Sequence, residues 1–213
     1  IIKKAEETQK IRIWVAACAT GEEAYSMAIL LRELMTPTQR SQIEVKIFAT
    51  DVDPIALKRA SQGVFLADAM KNLSAQQVKQ FFIPKEATFE VVRTIREMVI
   101  FANHNIIKDA AFTKIDLVSC RNMLIYMQPA LQQQVLHNIH FSLKQAGFLF
   151  LGKSENIGPL ENEFEIIQRK WNVYQKCGNS RLPTLSYLSA YRGANALVKR
   201  ASALPSSQPR FDP

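Results

Sequence analysis

Glycine is scarce, seven residues in 213, and the turn after the first apolar segment holds one of them, Gly21, with no Walker lysine behind it. A loop that cradles a pyrophosphate or a triphosphate needs several glycines so that backbone amides can approach the phosphates, so this turn is not one. Cysteine is scarcer still. Cys18, Cys120 and Cys177 are an odd count with no C-x-x-C pair, which excludes a disulfide framework or a zinc scaffold and fits a reduced, cytosolic setting. The three histidines, His104, His137 and His140, form no ligand set. His137 and His140 lie three positions apart on a predicted helix and read as an exposed pair, and no metal is expected. No apolar run approaches the length of a membrane span, and the start Ile1-Ile2-Lys3-Lys4 lacks a signal-peptide pattern. No basic run with interleaved aromatics suggests nucleic acid. The net charge is +8, of which the stretch from Asn179 onward supplies half through five basic residues against Asp212. The balance left on the rest suits docking on an acidic protein surface, or is merely a solvated exterior.

Against these absences one stretch is rich. Ile11, Ile13 and Val15 around Trp14 make a short β-branched run of the kind found in a parallel strand covered on both faces. Thr20 reads as the cap of the following helix, with Glu23 three residues on closing a capping box. The apolar spacing Tyr25, Met27-Ala28, Leu30-Leu31, Leu34 carries that helix onward. Glu44 to Asp51 is a second strand, ending on a carboxylate where nucleotide-type folds hold a ribose hydroxyl pair. One glycine, acids opening the helix and an aspartate ending the next strand suit a cofactor with a ribose and no phosphate. S-adenosylmethionine is such a cofactor.

The rest of the chain alternates in the manner of a doubly wound α/β sheet. Ile1 to Lys10 reads as the last turns of a helix cut off at its start, as if the chain begins inside a larger protein. Pro54 opens a helix that ends near Gly63. Val64 to Asn103 is long for one crossover. It holds a capping box at Ser74 and Gln77, a helix stopped at Pro84, and two short strands, Phe89 to Ile95 and Met98 to Ala102, around Arg96-Glu97. This segment, about 64–103, is expected to be an inserted β-subdomain. Ile115 to Ser119 is the next strand. A helix runs from Pro129 through Leu131, Val135, Ile139 and Leu143 to a stop at Gly147, followed by a strand at Phe148 to Leu151. Phe164 to Gln168 and Trp171 to Gln175 would make a closing antiparallel hairpin. The domain is thus expected to span 11–178, and 179–213 reads as a tail or linker toward a further domain, or as a helix packing back on the core.

Four motifs in order carry a resemblance: Trp14 to Ser26, Ala49 to Pro54, Cys120 to Tyr126, and Gly152-Lys153-Ser154-Glu155-Asn156. Together, from about Ile11 to Lys176, they resemble the CheR family of chemotaxis protein-glutamate O-methyltransferases. The resemblance implies a Rossmann-like methyltransferase sheet with a small antiparallel insertion and a closing hairpin, S-adenosylmethionine as methyl donor, and glutamates on chemoreceptor helices as acceptors. It implies cofactor contacts from Ala17, Cys18, Thr20, Gly21, Glu23, Asp51, Asn105, Ile106, Arg121 and Asn122. Arg121 and Tyr126 would lie between cofactor and acceptor as catalytic groups.

Each of these residues also has an ordinary structural reading. Asp51 is a strand-end turn residue, Glu23 is explained by its capping box, and Asn105 is a turn former. Arg121 could sit in a salt bridge and Tyr126 at the core edge, while Cys120 faces the same site with no partner for a nucleophilic role. Family members usually carry an upstream helical domain whose arginine reaches the active site, and this chain starts ten residues before its first strand. Receptor-tethered members have a glycine in the subdomain loop, whereas Ile83 to Thr88 has none, which points to recognition without a tethering peptide. The alternative to an enzyme is a non-catalytic cofactor-binding or docking module of a hybrid regulator fused to other signalling domains.

Overall fold

The computed structural model describes residues 1–178. The first half of the chain lays down α1 (Ile2–Thr8), β1 (Lys10–Ala16), α2 (Glu22–Leu34), α3 (Pro37–Gln42), β2 (Glu44–Asp51) and α4 (Pro54–Gln62). β3 (Val64–Leu66), α5 (Ala75–Phe81), β4 (Phe82–Pro84), β5 (Thr88–Val91), α6 (Arg93–Arg96) and β6 (Val99–Asn103) follow. The chain then forms β7 (Ile115–Cys120), α7 (Pro129–Ser142), β8 (Leu143–Leu151), β9 (Phe164–Gln168) and β10 (Val173–Lys176).

Seven strands share one sheet in the order β6-β2-β1-β7-β8-β10-β9, and β3, β5 and β4 form a separate antiparallel sheet. The first five neighbours are parallel, and β10 runs antiparallel to both β8 and β9, as the closing hairpin requires. Strand order reverses at β1, so the crevice beyond the carboxyl ends of β1 and β7 is the switch point where open α/β sheets bind ligands. Ile11, Ile13, Trp14 and Val15 are all buried, the pattern of a central strand covered on both faces. Trp14 donates its indole N–H to the Thr50 hydroxyl at 2.9 Å, satisfying the polar atom of a buried ring.

Several local expectations are corrected. Met98 to Ala102 is no part of the inserted sheet: β6 pairs in parallel with β2 and forms the edge of the main sheet. Within the stretch read as a strand at Phe89 to Ile95, β5 stops at Val91 and residues 93–96 are helical. Strand-like composition did not reveal which sheet would claim each piece. The helix opened by Pro129 ends at Ser142 and not at Gly147, because buried Leu143 pairs with Ile115 as the first residue of β8. The register then shifts before Leu117 meets Phe148, with Ala146 at φ 57. A Cβ on Gly147 would lie 2.9 Å from the Lys144 carbonyl oxygen, so this glycine serves a bulge and caps no helix. The capping boxes at Ser74 and, unforeseen, at Thr36 are formed. The one expected at Thr20 is not: Gly21 at φ 91 is the cap residue of α2, and the Thr20 hydroxyl donates to the Glu22 carboxylate. His140 is buried and His137 partly so, against the expected exposed pair. The expectation for the tail from 179 lies outside the described residues.

Candidate cofactor and acceptor site

The loop joining β1 to α2 turns by alternation. Ala17, Ala19 and Gly21 all have positive φ, at 55, 46 and 91 degrees. A left-handed alanine costs about 1–2 kcal/mol, so this shape needs external anchoring. Cys18 N–H donates to the Thr50 carbonyl at 2.9 Å, Ala19 N–H to Asp51 Oδ2 at 2.9 Å, and Gly21 N–H to the Cys18 carbonyl at 2.9 Å. A Cβ on Gly21 would meet Ala60 Cβ at 3.0 Å and the Phe101 ring at 3.1 Å, so only glycine serves there on both counts.

Asp51 is thus more than a strand end. Its Oδ2 holds Ala19 and its Oδ1 accepts from Asp53 N–H at 3.0 Å. A carboxylate offers about four acceptor positions. Two remain for a vicinal hydroxyl pair, which fits the ribose expectation. Beside it, His104 N–H donates to the Asp51 carbonyl at 3.1 Å and brings residues 104–107 to the same edge. Asn105 Oδ1 accepts from Ile107 and Lys108 N–H at 3.0 and 3.2 Å, so the turn-former reading holds for its oxygen, and only its NH₂ group is available to a purine edge. Ile106 is buried, and α7 grips this turn: Asn138 Nδ2 donates to the Ile106 carbonyl at 2.8 Å and Gln134 Nε2 to the Ile107 carbonyl at 3.1 Å.

At the exit of β7, fully buried Ser119 donates its hydroxyl to Glu23 Oε1, and Arg121 Nη1 stands 3.5 Å from Glu23 Oε2. Glu23 therefore faces the crevice, and this use of its carboxylate replaces the capping box. The Arg121 side chain, 38% exposed, lies with its guanidinium carbon 4.7 Å above the Phe150 ring centre. Held by that ring and by Glu23, the guanidinium stays partly exposed and keeps N–H groups that a carboxylate could engage.

Asn122, at φ 58, begins a tight turn whose three consecutive N–H groups all point at Glu155. Tyr126 ends that turn with 83% of its surface exposed, so the structure places it on the rim of the loop and does not pack its ring into the site.

Burial, with Asp51 adding to it, pushes Cys18 up to about 12, and burial followed by the charges of Glu155 and Glu23 pushes Cys120 up as well, so neither of these two thiols is activated toward the thiolate. Among the described residues no group of three or more His, Cys, Asp or Glu is placed to hold a metal ion. A cavity of about 230 Å³ between Arg32, Arg40, Thr94 and Glu97 lies at the amino ends of β2 and β6, away from all of these groups. The letters from Gly147 to Ser154 spell G-x-x-x-x-G-K-S, the phosphate-loop pattern, yet Gly147 to Leu151 is extended strand within β8, and no cradle forms. Ser119, Phe150, Glu155 and Asn172 carry no functional signal in the sequence beyond the motif Gly152 to Asn156, which includes Glu155.

The CheR methyltransferase, SAM binding domain family matches residues 1–173. The chain belongs to this family. A chemotaxis protein methyltransferase of Listeria innocua is 36% identical over 148 residues, covering 70% of this chain and 55% of that protein. Chemotaxis protein methyltransferase 1 of Pseudomonas aeruginosa is 35% identical over 170 residues, 78% of this chain and 62% of that one. An uncharacterized 104.1 kDa protein of Rhodobacter capsulatus is 34% identical over 175 residues, 82% of this chain and 18% of its own length. The chain spans less than two thirds of each of these relatives. This CheR domain gathers the carboxylates of Asp51, Glu22 and Glu23 around the loop after β1, an acceptor set that suits a cofactor carrying a ribose, an ammonium and a sulfonium.

Proposed function

We propose that this chain is the catalytic part of an S-adenosylmethionine-dependent protein-glutamate O-methyltransferase, acting in the cytoplasm on glutamates borne by helices of chemoreceptors or similar signalling proteins. The observation that carries this reading is a cofactor-type crevice that brings Asp51 and Glu23 together with Arg121 over the Phe150 ring, with its two thiols pushed toward the protonated form by burial and the nearby His104 ring engaged by the Ala110 carbonyl. Such a site matches an acceptor needing no deprotonation: a glutamate side chain, with an ordinary pKa of about 4.3, is already an anion at neutral pH. When bound, S-adenosylmethionine supplies a methyl group already activated by its sulfonium.

The protein's part is then positioning, which can supply roughly 7–11 kcal/mol in the best cases. In this reading Asp51 and the Ala17 to Gly21 turn orient the nucleoside, Asn105 NH₂ and Ile106 border the base, and Glu23 takes the cofactor's ammonium. Arg121 presents its fork to a carboxylate, and Tyr126 on the rim meets the incoming helix. Among the described residues no helix is long and apolar enough to cross a membrane.

The test uses labelled cofactor, the longer protein containing this chain, and a receptor helix carrying either glutamate or glutamine at the acceptor position. The glutamate helix should gain a base-labile ester that releases methanol, and the glutamine helix should stay unlabelled. A base-stable adduct, or equal labelling of both helices, overturns the reading.

A further inference from the structure

Glu155 stands at the centre of an arrangement that no contact with a ligand explains. Its side chain is buried at 6% exposure, and both oxygens are engaged twice by backbone. Oε2 accepts from Gly152 N–H at 2.7 Å and Asn122 N–H at 3.0 Å, and Oε1 accepts from Met123 N–H at 2.9 Å and Leu124 N–H at 2.7 Å. Three of those donors are consecutive amides of the turn that follows Arg121. Consecutive N–H groups aimed at one point form an anion nest, filled here by the protein's own carboxylate. Charge-assisted bonds of this kind are about twice as strong as neutral ones, and four converging on one buried group leave the turn little freedom.

The carboxylate is itself held from behind. Asn172, at φ 50 between β9 and β10, donates its NH₂ group to the carbonyls of Gly152 and Glu155 at 2.8 Å each and of Lys153 at 3.2 Å. A Cβ on Gly152 would fall 2.5 Å from Glu155 Oε2 and 2.6 Å from Asn122 Oδ1, so the closeness of the two loops depends on that glycine.

We infer that Glu155 is a positioning residue: braced by Asn172, it sets the place of Arg121, Asn122 and Tyr126 at the crevice without itself touching cofactor or acceptor. The catalytic meaning of that placement rests on the function proposed above. The fixing of the turn does not.

Glu155→Gln tests it. Whichever way the amide turns, its NH₂ end faces two backbone N–H donors, so two of the four bonds become repulsive while volume is kept. Hydrogen exchange at the amides of Asn122, Met123 and Leu124 should quicken at least tenfold, while Trp14, Val15 and Ile47 in the central strands keep their protection. Affinity for S-adenosylhomocysteine, measured where the variant is fully folded, should fall about tenfold. Gly152→Ala, which leaves the carboxylate in place and crowds it, should reproduce both effects. Unchanged exchange at the turn, or quickening spread evenly over the sheet with full affinity in the folded protein, overturns the inference. If the wild type binds no S-adenosylhomocysteine, the cofactor reading fails, and the exchange contrast still decides whether Glu155 fixes the turn.

Discussion

The two loops that meet at the crevice are held in opposite ways. In the loop after β1 the holder and the group proposed to meet the cofactor are one residue, since Asp51 anchors Ala19 and has two acceptor positions left over. In the loop after β7 the roles are divided. Arg121 and Tyr126 face outward, while the group that fixes them, Glu155, is buried some thirty residues further along the chain. A substitution at Asp51 must therefore disturb shape and binding together. A substitution at Glu155 acts on shape alone, and any loss of binding that follows measures what the shape was worth.

The largest expected effect sharpens this contrast through acid. The second loop depends on the half of the sheet built from β8, β9 and β10, and buried His140 on α7 packs against that half, its ring 5.5 Å from that of Phe164 and its carbonyl accepting from Lys176 Nζ. Burial lowers its pKa to about 4, with Lys176 and His137 adding to the drop and Glu163, whose Oε2 is 3.4 Å from His140 Nε2, opposing it. A histidine held neutral in the folded state binds its proton more readily when unfolded, so stability is full above the unfolded value near 6.5 and declines as pH falls toward 4. At about 1.4 kcal/mol per pKa unit the loss is on the order of 3 kcal/mol. Urea unfolding at pH 7 and pH 4.5 should show it in the wild type and much less of it in His140→Leu. Equal pH dependence in the two proteins would remove His140 from the account.

The next effect tests whether the two roles of Asp51 can be pulled apart. Asp51→Ala should weaken S-adenosylhomocysteine binding by roughly 1.5–3 kcal/mol, the range for hydrogen bonds to a charged group. Asp51→Asn retains one oxygen for Ala19 N–H and should lose less. Calorimetry that finds all three proteins equal sinks the ribose assignment. The smallest effect belongs to Ser119→Ala, which removes one donor from Glu23 and should cost about 0.5–1.5 kcal/mol in the same measurement. A larger loss there would mean that the Glu23 carboxylate is oriented chiefly from β7.

The residues proposed to face a ligand were the legible ones. Asp51 at a strand end and Arg121-Asn122 at a strand exit are announced by a change from apolar run to polar turn, a local signal that sequence carries. The holders were not announced. Glu155 and Asn172 look like ordinary polar residues of exposed turns, and the burial of Glu155 and half-burial of Asn172 follow from the close approach of the β7 and β8 ends, which no short window contains. The same limit explains β6. Val99 to Asn103 has strand composition, but whether it pairs with the insertion or with β2 depends on a parallel partner some fifty residues back. Glu23 misled because Thr20 and Glu23 have capping-box spacing, while the left-handed Gly21 moves the helix start one residue on and frees the carboxylate for Ser119.

The antiparallel excursion between α4 and α6 closes where it leaves the body of the molecule, and its apolar side is packed into the same core, with Phe81, Phe82 and Val91 buried alongside Tyr25 and Ile29. Val91 N–H donates to the Gly63 carbonyl at 2.8 Å, and Gly63 turns there at φ 63 beneath the Tyr25 hydroxyl and the Arg96 chain. The excursion is in effect a plug in a fixed socket. Lengthening its exposed turn, residues 83–87, costs only about 0.6 kcal/mol for each doubling, because closure entropy grows with the logarithm of loop length. That exposed turn is thus exchangeable: grafts of other lengths and compositions at residues 83–87 that keep the buried Phe81, Phe82 and Val91 should leave the crevice in register, so that the displayed face can be altered as a separate part.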